Sequence, residues 1–454
     1  MAGARLRFEG VLQSHGIPRE ERLAIDRDCI TGVGLNCDDA AVDQTVPGVT
    51  LPGIPNLHSH AFQRAMAGLA ERAGAAGDSF WSWREAMYRF LHLLTPDDVE
   101  AIAAQLYVEC LRQGFTSVAE FHYLHNAPDG TPYDNPAEMA ERIAAAAQTA
   151  GIGLTLLPVL YTVSGFGGAP ATPGQRRFVL PPDTLHDICA RMAPHARIGV
   201  APHSLRAVTP DGLAQCVRIA EAFGPDTPIH IHVAEQVLEV EQCLAWSGRR
   251  PVEWLLDHAP VDARWCAIHA THMTDAETTA LAATGAVAGL CPTTEANLGD
   301  GIFPLQPYLA AGGKFGIGTD SNVGTSPVEE LRWLEYVQRL GTRARNVTET
   351  EPGASVAANL VRRAAAGGAQ ALGRAAGSIE PGRLADLVVL DSEHPALVGR
   401  DAAGAVDAWI FSGNTTPVRH VMVAGRWVIR DGRHARQEEV AARFARTMRS
   451  LAAR

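Results

Sequence analysis

The chain has 454 residues, of which 46% are hydrophobic and 20% charged, a composition that supports a large buried core and excludes wholesale disorder. Lys plus Arg total 39 against 50 Asp plus Glu, a net charge of −11 with no basic run or stripe, which argues against a nucleic-acid partner. No apolar stretch reaches the roughly 18 residues of a membrane span, and Met1 to Gly10 lacks the apolar core of a secretory signal.

Residues 1–48 read as a few short strands, apolar runs broken by Gly and Asp. From about residue 50, short β-branched runs alternate with Ala-rich stretches of helical period. The spacing predicts strands at 51–58, 115–121, 152–160, 197–203, 227–233, 265–270, 286–291 and 314–320. Helices are predicted near 97–113, 136–150, 182–193, 210–223, 236–258, 274–283 and 302–311, with two more at 327–343 and 353–372. Thr95-Pro96-Asp97, Thr209-Pro210-Asp211 and Thr274-Asp275 are start signals for three of them. Eight strands separated by helices is the count of a (β/α)8 TIM barrel, expected over 49–377. A doubly wound open sheet is the alternative, but no glycine-rich dinucleotide turn follows the first strand.

The segment 61–95 reads as a long aromatic loop (Phe80, Trp81, Trp83, Tyr88, Phe90) that carries Arg84 and is predicted to cover the barrel mouth. Ser378 to Leu390 reads as a turn and a buried strand, and 418–424 with 426–430 as a hairpin joined by Gly425. Residues 1–48 and 378–454 are together expected to form a small β-sandwich domain, with the barrel inserted between them. The eight cysteines (29, 37, 110, 189, 216, 243, 266, 291) are scattered and form no C-x-x-C pair. That predicts reduced thiols and a cytoplasmic protein rather than a disulfide framework.

The strongest local signal is Leu57-His58-Ser59-His60. On a strand, residues i and i+2 share a face, so both imidazoles leave the C-terminal end of the first barrel strand together. Such barrels carry their active sites at that end, and paired imidazoles suit zinc and similar divalent metals. Later strand ends add His230-Ile231-His232-Val233-Ala234-Glu235, Ile268-His269-Ala270 and Gly318-Thr319-Asp320. His230 competes with His232 as a ligand; His122, His125 and His272 read as supporting residues.

This set resembles the amidohydrolase superfamily, and the Gly-Ser-Ile-Glu-Pro-Gly-Arg-Leu-Ala-Asp-Leu-Val-Val-Leu segment extends the resemblance into the C-terminal β region. His232 followed by Glu235 is similar to the deaminase branch, where a proton-shuttling glutamate lies three residues past a zinc ligand. Within that branch the chain is similar to the N-formimino-L-glutamate deiminases. The likeness rests on His58-Ser59-His60-Ala61-Phe62-Gln63-Arg64, Trp81-Ser82-Trp83-Arg84, Glu120-Phe121-His122-Tyr123 and Ala201-Pro202-His203-Ser204-Leu205-Arg206.

The resemblance implies one zinc ion, or a similar divalent metal, on His58, His60, His232 and Asp320. It implies catalytic roles for Glu235, His269 and Asp320, and substrate contacts from Gln63, Arg84, Tyr123, His203 and Arg206. It also implies a small-molecule substrate, formiminoglutamate, and a homodimer. Two-metal relatives usually bridge their ions with a strand-four lysine, but the only lysine is Lys314, at the start of strand eight. Arg197–Arg206 contains no Glu either, so a mononuclear site is expected. Two arginines suit a substrate with two carboxylates, because the guanidinium fork matches that geometry. The rival readings are a deaminase of a purine, pterin or other cyclic amidine, and a barrel that has lost catalysis.

Overall fold

The computed structural model describes residues 4–13, 16–34, 43–72, 78–349 and 351–454. Cys37 and residues 73–77 of the covering segment lie outside the described residues.

The first four strands are β1 (Ala4–Val11), β2 (Arg19–Asp26), β3 (Cys29–Val33) and β4 (Gln44–Pro52). The barrel strands follow: β5 (Ile54–Ser59), β6 (Phe115–His122), β7 (Gly153–Leu160), β8 (Arg197–Ile198), β9 (Ala201–Pro202), β10 (Ile229–Val233), β11 (Trp265–His269), β12 (Val287–Leu290) and β13 (Lys314–Ile317). The last four are β14 (Leu387–Leu390), β15 (Val418–Val423), β16 (Arg426–Arg430) and β17 (Arg433–His434).

The barrel strands pair in parallel in the order β10-β11-β12-β13-β5-β6-β7-β8, with β9 also on β7. Single parallel bridges Val200↔Ile229 and Ser204↔His232 close the ring. The fourth barrel strand is therefore split into β8 and β9. The expected strand 51–58 is also two elements, because β4 belongs to the terminal sheet and β5 to the barrel. Gly53 lies between them, where a Cβ would meet the Thr116 side chain at 2.4 Å; only a glycine lets the chain pass so close.

The terminal sheet has the order β17-β16-β15-β14-β4-β1-β2-β3. It folds over on itself: Cys29 on β3 bridges Leu384, just before β14. Leu6, Phe8, Leu23, Val389 and Met422 fill a core of its own, separate from the large core of the barrel and its helices. This is the small β domain built from both termini.

The helices form where caps dictate. Thr95 and Asp98 exchange side-chain-to-backbone bonds at 3.2 and 3.1 Å before Pro96–Gln113. Thr274 and Glu277 do the same at 3.2 and 2.8 Å before Asp275–Ala283. The expected helix 236–258 is two, Val237–Ser247 and Pro251–His258. Gly248 ends the first at φ 72° and Pro251 starts the second. The covering segment holds a 3-10 turn, Ala61–Met66, and a helix, Phe80–Leu91. Four helices were not anticipated: Phe80–Leu91, Pro292–Leu298, Ala402–Phe411 and Gln437–Ala452. No helix among the described residues is long and apolar enough to cross a membrane.

Candidate active site and metal centre

His58 is on β5 and His60 just past it, and both are buried. The eighth strand presses against them: a Cβ on Gly318 would lie 2.8 Å from the His58 backbone nitrogen. Asp320 follows, its N–H donating to His58 O at 2.9 Å and its own O accepting from His60 N–H at 3.0 Å. The fifth strand supplies His232. One ligand atom from each of His58, His60, His232 and Asp320 falls within 4.8 Å of all the others.

The tautomers follow from the partners. His60 Nδ1 donates to Phe121 O at 3.0 Å, and His232 Nδ1 to His203 O at 2.9 Å. A carbonyl can only accept, so when these rings are neutral their Nε2 atoms carry lone pairs. His232 Nε2 lies 3.0 Å from His58 Nε2, and Asp320 Oδ1 lies 3.2 Å from His60 Nε2. Burial pushes His58 down to about 3, and His232 well below the usual imidazole range. Burial alone would raise Asp320, but the His58 and His60 rings beside its carboxylate hold it well below the carboxylate range. Three imidazoles packed round a buried carboxylate form a three-nitrogen, one-oxygen donor set suited to a divalent metal of the zinc type. His230 is not part of it: its Nε2 donates to Ala371 O at 2.8 Å. His125 and His272 likewise bond carbonyls, of Val159 and Asp300.

His269 and Glu235 flank this centre. His269 Nε2 is 3.6 Å from Asp320 Oδ2 and 3.7 Å from Glu235 Oε1. Burial would lower the His269 ring, but the Glu235, Glu295 and Asp320 carboxylates raise it to about 10. Burial raises Glu235 above the usual glutamate value, so a proton is more readily held there. Ala234, His269, Ala270, Asp320 and Asn322 all have φ between 47° and 67°. Strained non-glycine backbone thus gathers at these strand ends, as it does at functional sites.

Above these four residues lies a cleft with about 570 Å³ of empty space, its open mouth included. Gln63, Arg84, Tyr123, His203 and Arg206 all line it, together with His60, His232, Glu235, His269 and Asp320. Arg84 is in the helix Phe80–Leu91, not on an irregular loop. Its Cζ sits 4.6 Å from the Trp81 ring centroid and 5.5 Å from that of Tyr88, the i−3 and i+4 neighbours on one helical face. Arg206 Cζ is 5.9 Å from the same Trp81 ring. Gln63 Nε2 donates to Tyr123 Oη at 2.8 Å. Burial and the nearby Arg206 charge keep His203 far below the imidazole range.

Three polar atoms facing this region are buried and have no hydrogen-bond partner among the described residues: Arg84 Nε, Arg206 Nε and Gln63 Oε1. Two are cationic donors and one is a neutral acceptor.

Several participants were missed by the sequence reading. Glu295 accepts from Cys291 N–H at 2.9 Å and faces His269 Nδ1 at 3.3 Å. Glu120, raised to about 7 mainly by burial, accepts from Ala61 N–H and Tyr107 Oη–H. Tyr88 and Tyr161 complete the aromatic wall. The Cys291-Pro292 step after strand seven signalled a helix start, with Glu295 in its first turn.

The amidohydrolase family profile matches residues 49–428. The chain is 51% identical over 452 residues, 98% of each sequence, to a formimidoylglutamate deiminase of Pseudomonas aeruginosa. It is 30% identical over 402 residues, 87% of this chain and 85% of the relative, to a 5-methylthioadenosine/S-adenosylhomocysteine deaminase of Natronomonas pharaonis. An amidohydrolase structure from Brucella melitensis superposes with a TM-score of 0.93 at 49% identity, covering 99% of this chain and all of the other. An atrazine chlorohydrolase from Arthrobacter aurescens, solved with zinc, shares the fold with a TM-score of 0.84 at 23% identity, over 98% of this chain and 100% of its own.

Proposed function

The chain belongs to the amidohydrolase family, and on that premise we propose that it deiminates N-formimino-L-glutamate in histidine degradation. Water adds to the formimino carbon, the carbon–nitrogen bond to the terminal nitrogen breaks, and N-formyl-L-glutamate and ammonia result. One observation carries the substrate assignment. The cleft is lined by two buried guanidinium donors that make no hydrogen bond, Arg84 Nε and Arg206 Nε, and by one acceptor in the same state, Gln63 Oε1. Formiminoglutamate has two carboxylates and one cationic, N–H-bearing group, which is the complementary set. Tyr123 and His203 line the same space and complete the substrate contacts.

A single divalent metal, zinc for preference, held by His58, His60, His232 and Asp320, would supply the Lewis acidity that brings the pKa of water toward neutrality. Lys314 supports one ion rather than two: its Nζ donates to Gln370 Oε1 at an exposed position. Asp320 accepts the proton of the attacking water. His269 hydrogen-bonds the oxygen as it joins the carbon. Glu235 carries a proton to the departing nitrogen, a role suited to a carboxyl raised by burial.

The same reading makes the protein a cytoplasmic homodimer. Seven free cysteines among the described residues fit a reducing compartment. Exposed Trp333, Tyr336 and Leu340, on the helix Pro327–Thr342, offer a second copy an apolar face. Sedimentation tests the dimer.

The test of function is ammonia release from purified protein offered formiminoglutamate, 5-methylthioadenosine, adenine and guanine. Turnover of formiminoglutamate far above the purines is expected. Preference for a purine would transfer the same metal centre to a cyclic amidine.

A further inference from the structure

We propose that Glu239 is a positioning residue whose one buried carboxylate sets both the acid–base group Glu235 and the substrate-binding cation Arg206. The roles of those two partners rest on the function proposed above.

Glu239 is the third residue of the helix Val237–Ser247 and is fully buried. A glutamate at that position commonly reaches back to the N–H of the helix cap. Here the cap is Gln236, and its side chain makes no cap bond. Glu239 reaches further back. Its Oε1 accepts from Ala234 N–H at 3.1 Å and its Oε2 from Glu235 N–H at 3.2 Å. Ala234 has φ 51°, a left-handed conformation disfavoured for any residue with a Cβ. Two amides aimed at one carboxylate hold that turn. The turn in turn fixes where Glu235 leaves the strand end, with Oε1 3.7 Å from His269 Nε2.

The same Oε2 is 3.7 Å from Arg206 Nε, while Arg206 Nη2 is 3.8 Å from Glu235 Oε2. Both contacts are longer than a hydrogen bond. Arg206 is thus neutralised from a distance and keeps a donor free. With Glu239 gone, the remaining ion-pair partner of Arg206 among the described residues is Glu235. Closing that pair would occupy the cation meant for substrate and the acid meant for the leaving nitrogen together.

The experiment compares wild type with Glu239→Gln, Glu239→Asp, Arg206→Met and the double variant Glu239→Gln/Arg206→Met, each loaded with metal. Amide exchange over residues 229–239 should quicken in Glu239→Gln. In that variant kcat should fall and KM rise, each by about tenfold, the worth of a lost charge-assisted bond. In the Arg206→Met background the same change should lower kcat but leave KM within about twofold, because the cation it steadies is already absent. Glu239→Asp keeps the charge but is one methylene too short to span both amides, so KM should recover further than kcat. It also carries the test if Glu239→Gln does not fold.

Unchanged exchange, or kinetic constants within about twofold of wild type, would overturn the proposal. So would a lowered Tm with unchanged kcat and KM per metal-loaded site, the mark of a merely structural role. The exchange measurement needs no substrate. A wild type inert toward formiminoglutamate would therefore sink the functional reading while exchange still decides whether Glu239 holds the turn.

Discussion

The guanidinium of Arg84 lies over the indole of Trp81, with Cζ 4.6 Å from the ring centroid. Arg206 approaches the same ring at 5.9 Å, so one tryptophan meets both cations proposed to bind the substrate carboxylates. Read as a loop residue, Arg84 would be the more solvated and the weaker contributor. On the helix its Nε is buried like that of Arg206 and likewise makes no hydrogen bond. Arg84→Met and Arg206→Met should therefore lower kcat/KM for formiminoglutamate by similar factors, roughly tenfold to a hundredfold at about 1.5–3 kcal/mol per charge-assisted bond. Both should retain metal. Each loss should shrink for an analogue with the matching carboxylate amidated. Normal turnover by both variants would end the diacid assignment.

Glu235 is the second target. It is buried, raised by that burial and 3.7 Å from His269 Nε2, but does not join the cluster of His58, His60, His232 and Asp320. Glu235→Gln should keep its metal and lower kcat by roughly 10²–10⁴, the range for a lost acid or base. Metal analysis beside steady-state kinetics checks this. A variant that loses metal would make Glu235 a ligand, and one with wild-type kcat would remove it from the chemistry.

What the sequence made legible follows a physical pattern. The barrel strands announced themselves because they are buried on both faces and read as apolar runs; β6 has no exposed residue. The candidate metal ligands were visible because side chains on a strand share a face every two residues and imidazoles are rare enough to notice. Residues acting through backbone amides were not visible. Glu120, Glu239 and Glu295 bond N–H groups of Ala61, Ala234 and Cys291, and nothing in a lone glutamate says which amide it will meet. The break in strand four was equally hidden, since it depends on how β7 and β10 share Arg197–Ser204. The C-terminal helix is different: Glu438 and Glu439 in its first turn and Arg449 in its last are ordinary helix signals that the sequence does carry.

The donor set predicts metal dependence. Active protein should hold about one divalent ion per chain. A chelator should abolish deimination and lower Tm, because the ion binds only the folded form. One equivalent of zinc should restore both. Elemental analysis that consistently finds two equivalents in active enzyme would overturn the mononuclear site.

The C-terminal helix Gln437–Ala452 should loosen in acid. It is fastened to the helix Pro96–Gln113 by Arg443 on Glu100 and by Arg454 on Asp98 at 3.0 Å, and Glu100 also meets Arg142 at 3.1 Å. Burial would raise the Glu100 carboxyl, but the hydrogen bonds from Arg443 and Arg142 outweigh it and hold the group below the ordinary value of 4.5. Folded protein therefore binds fewer protons at this site than unfolded protein does. The stabilisation is present in full above the unfolded value and is lost as pH falls through the folded one. Both arginines are partly solvated, so the pair contributes at most about 1 kcal/mol near neutrality. Glu100→Gln should lower Tm by no more than about 2 °C at pH 7, and the gap from wild type should close by pH 3. The protection of amides in 437–452, with exchange corrected for its intrinsic pH dependence, should fall in wild type below pH 4.5 and already be lower in the variant at pH 7, by no more than about fivefold, with kcat unchanged there. A Tm gap that stays constant from pH 7 to pH 3 would show that the carboxylate charge of Glu100 does not fasten this helix.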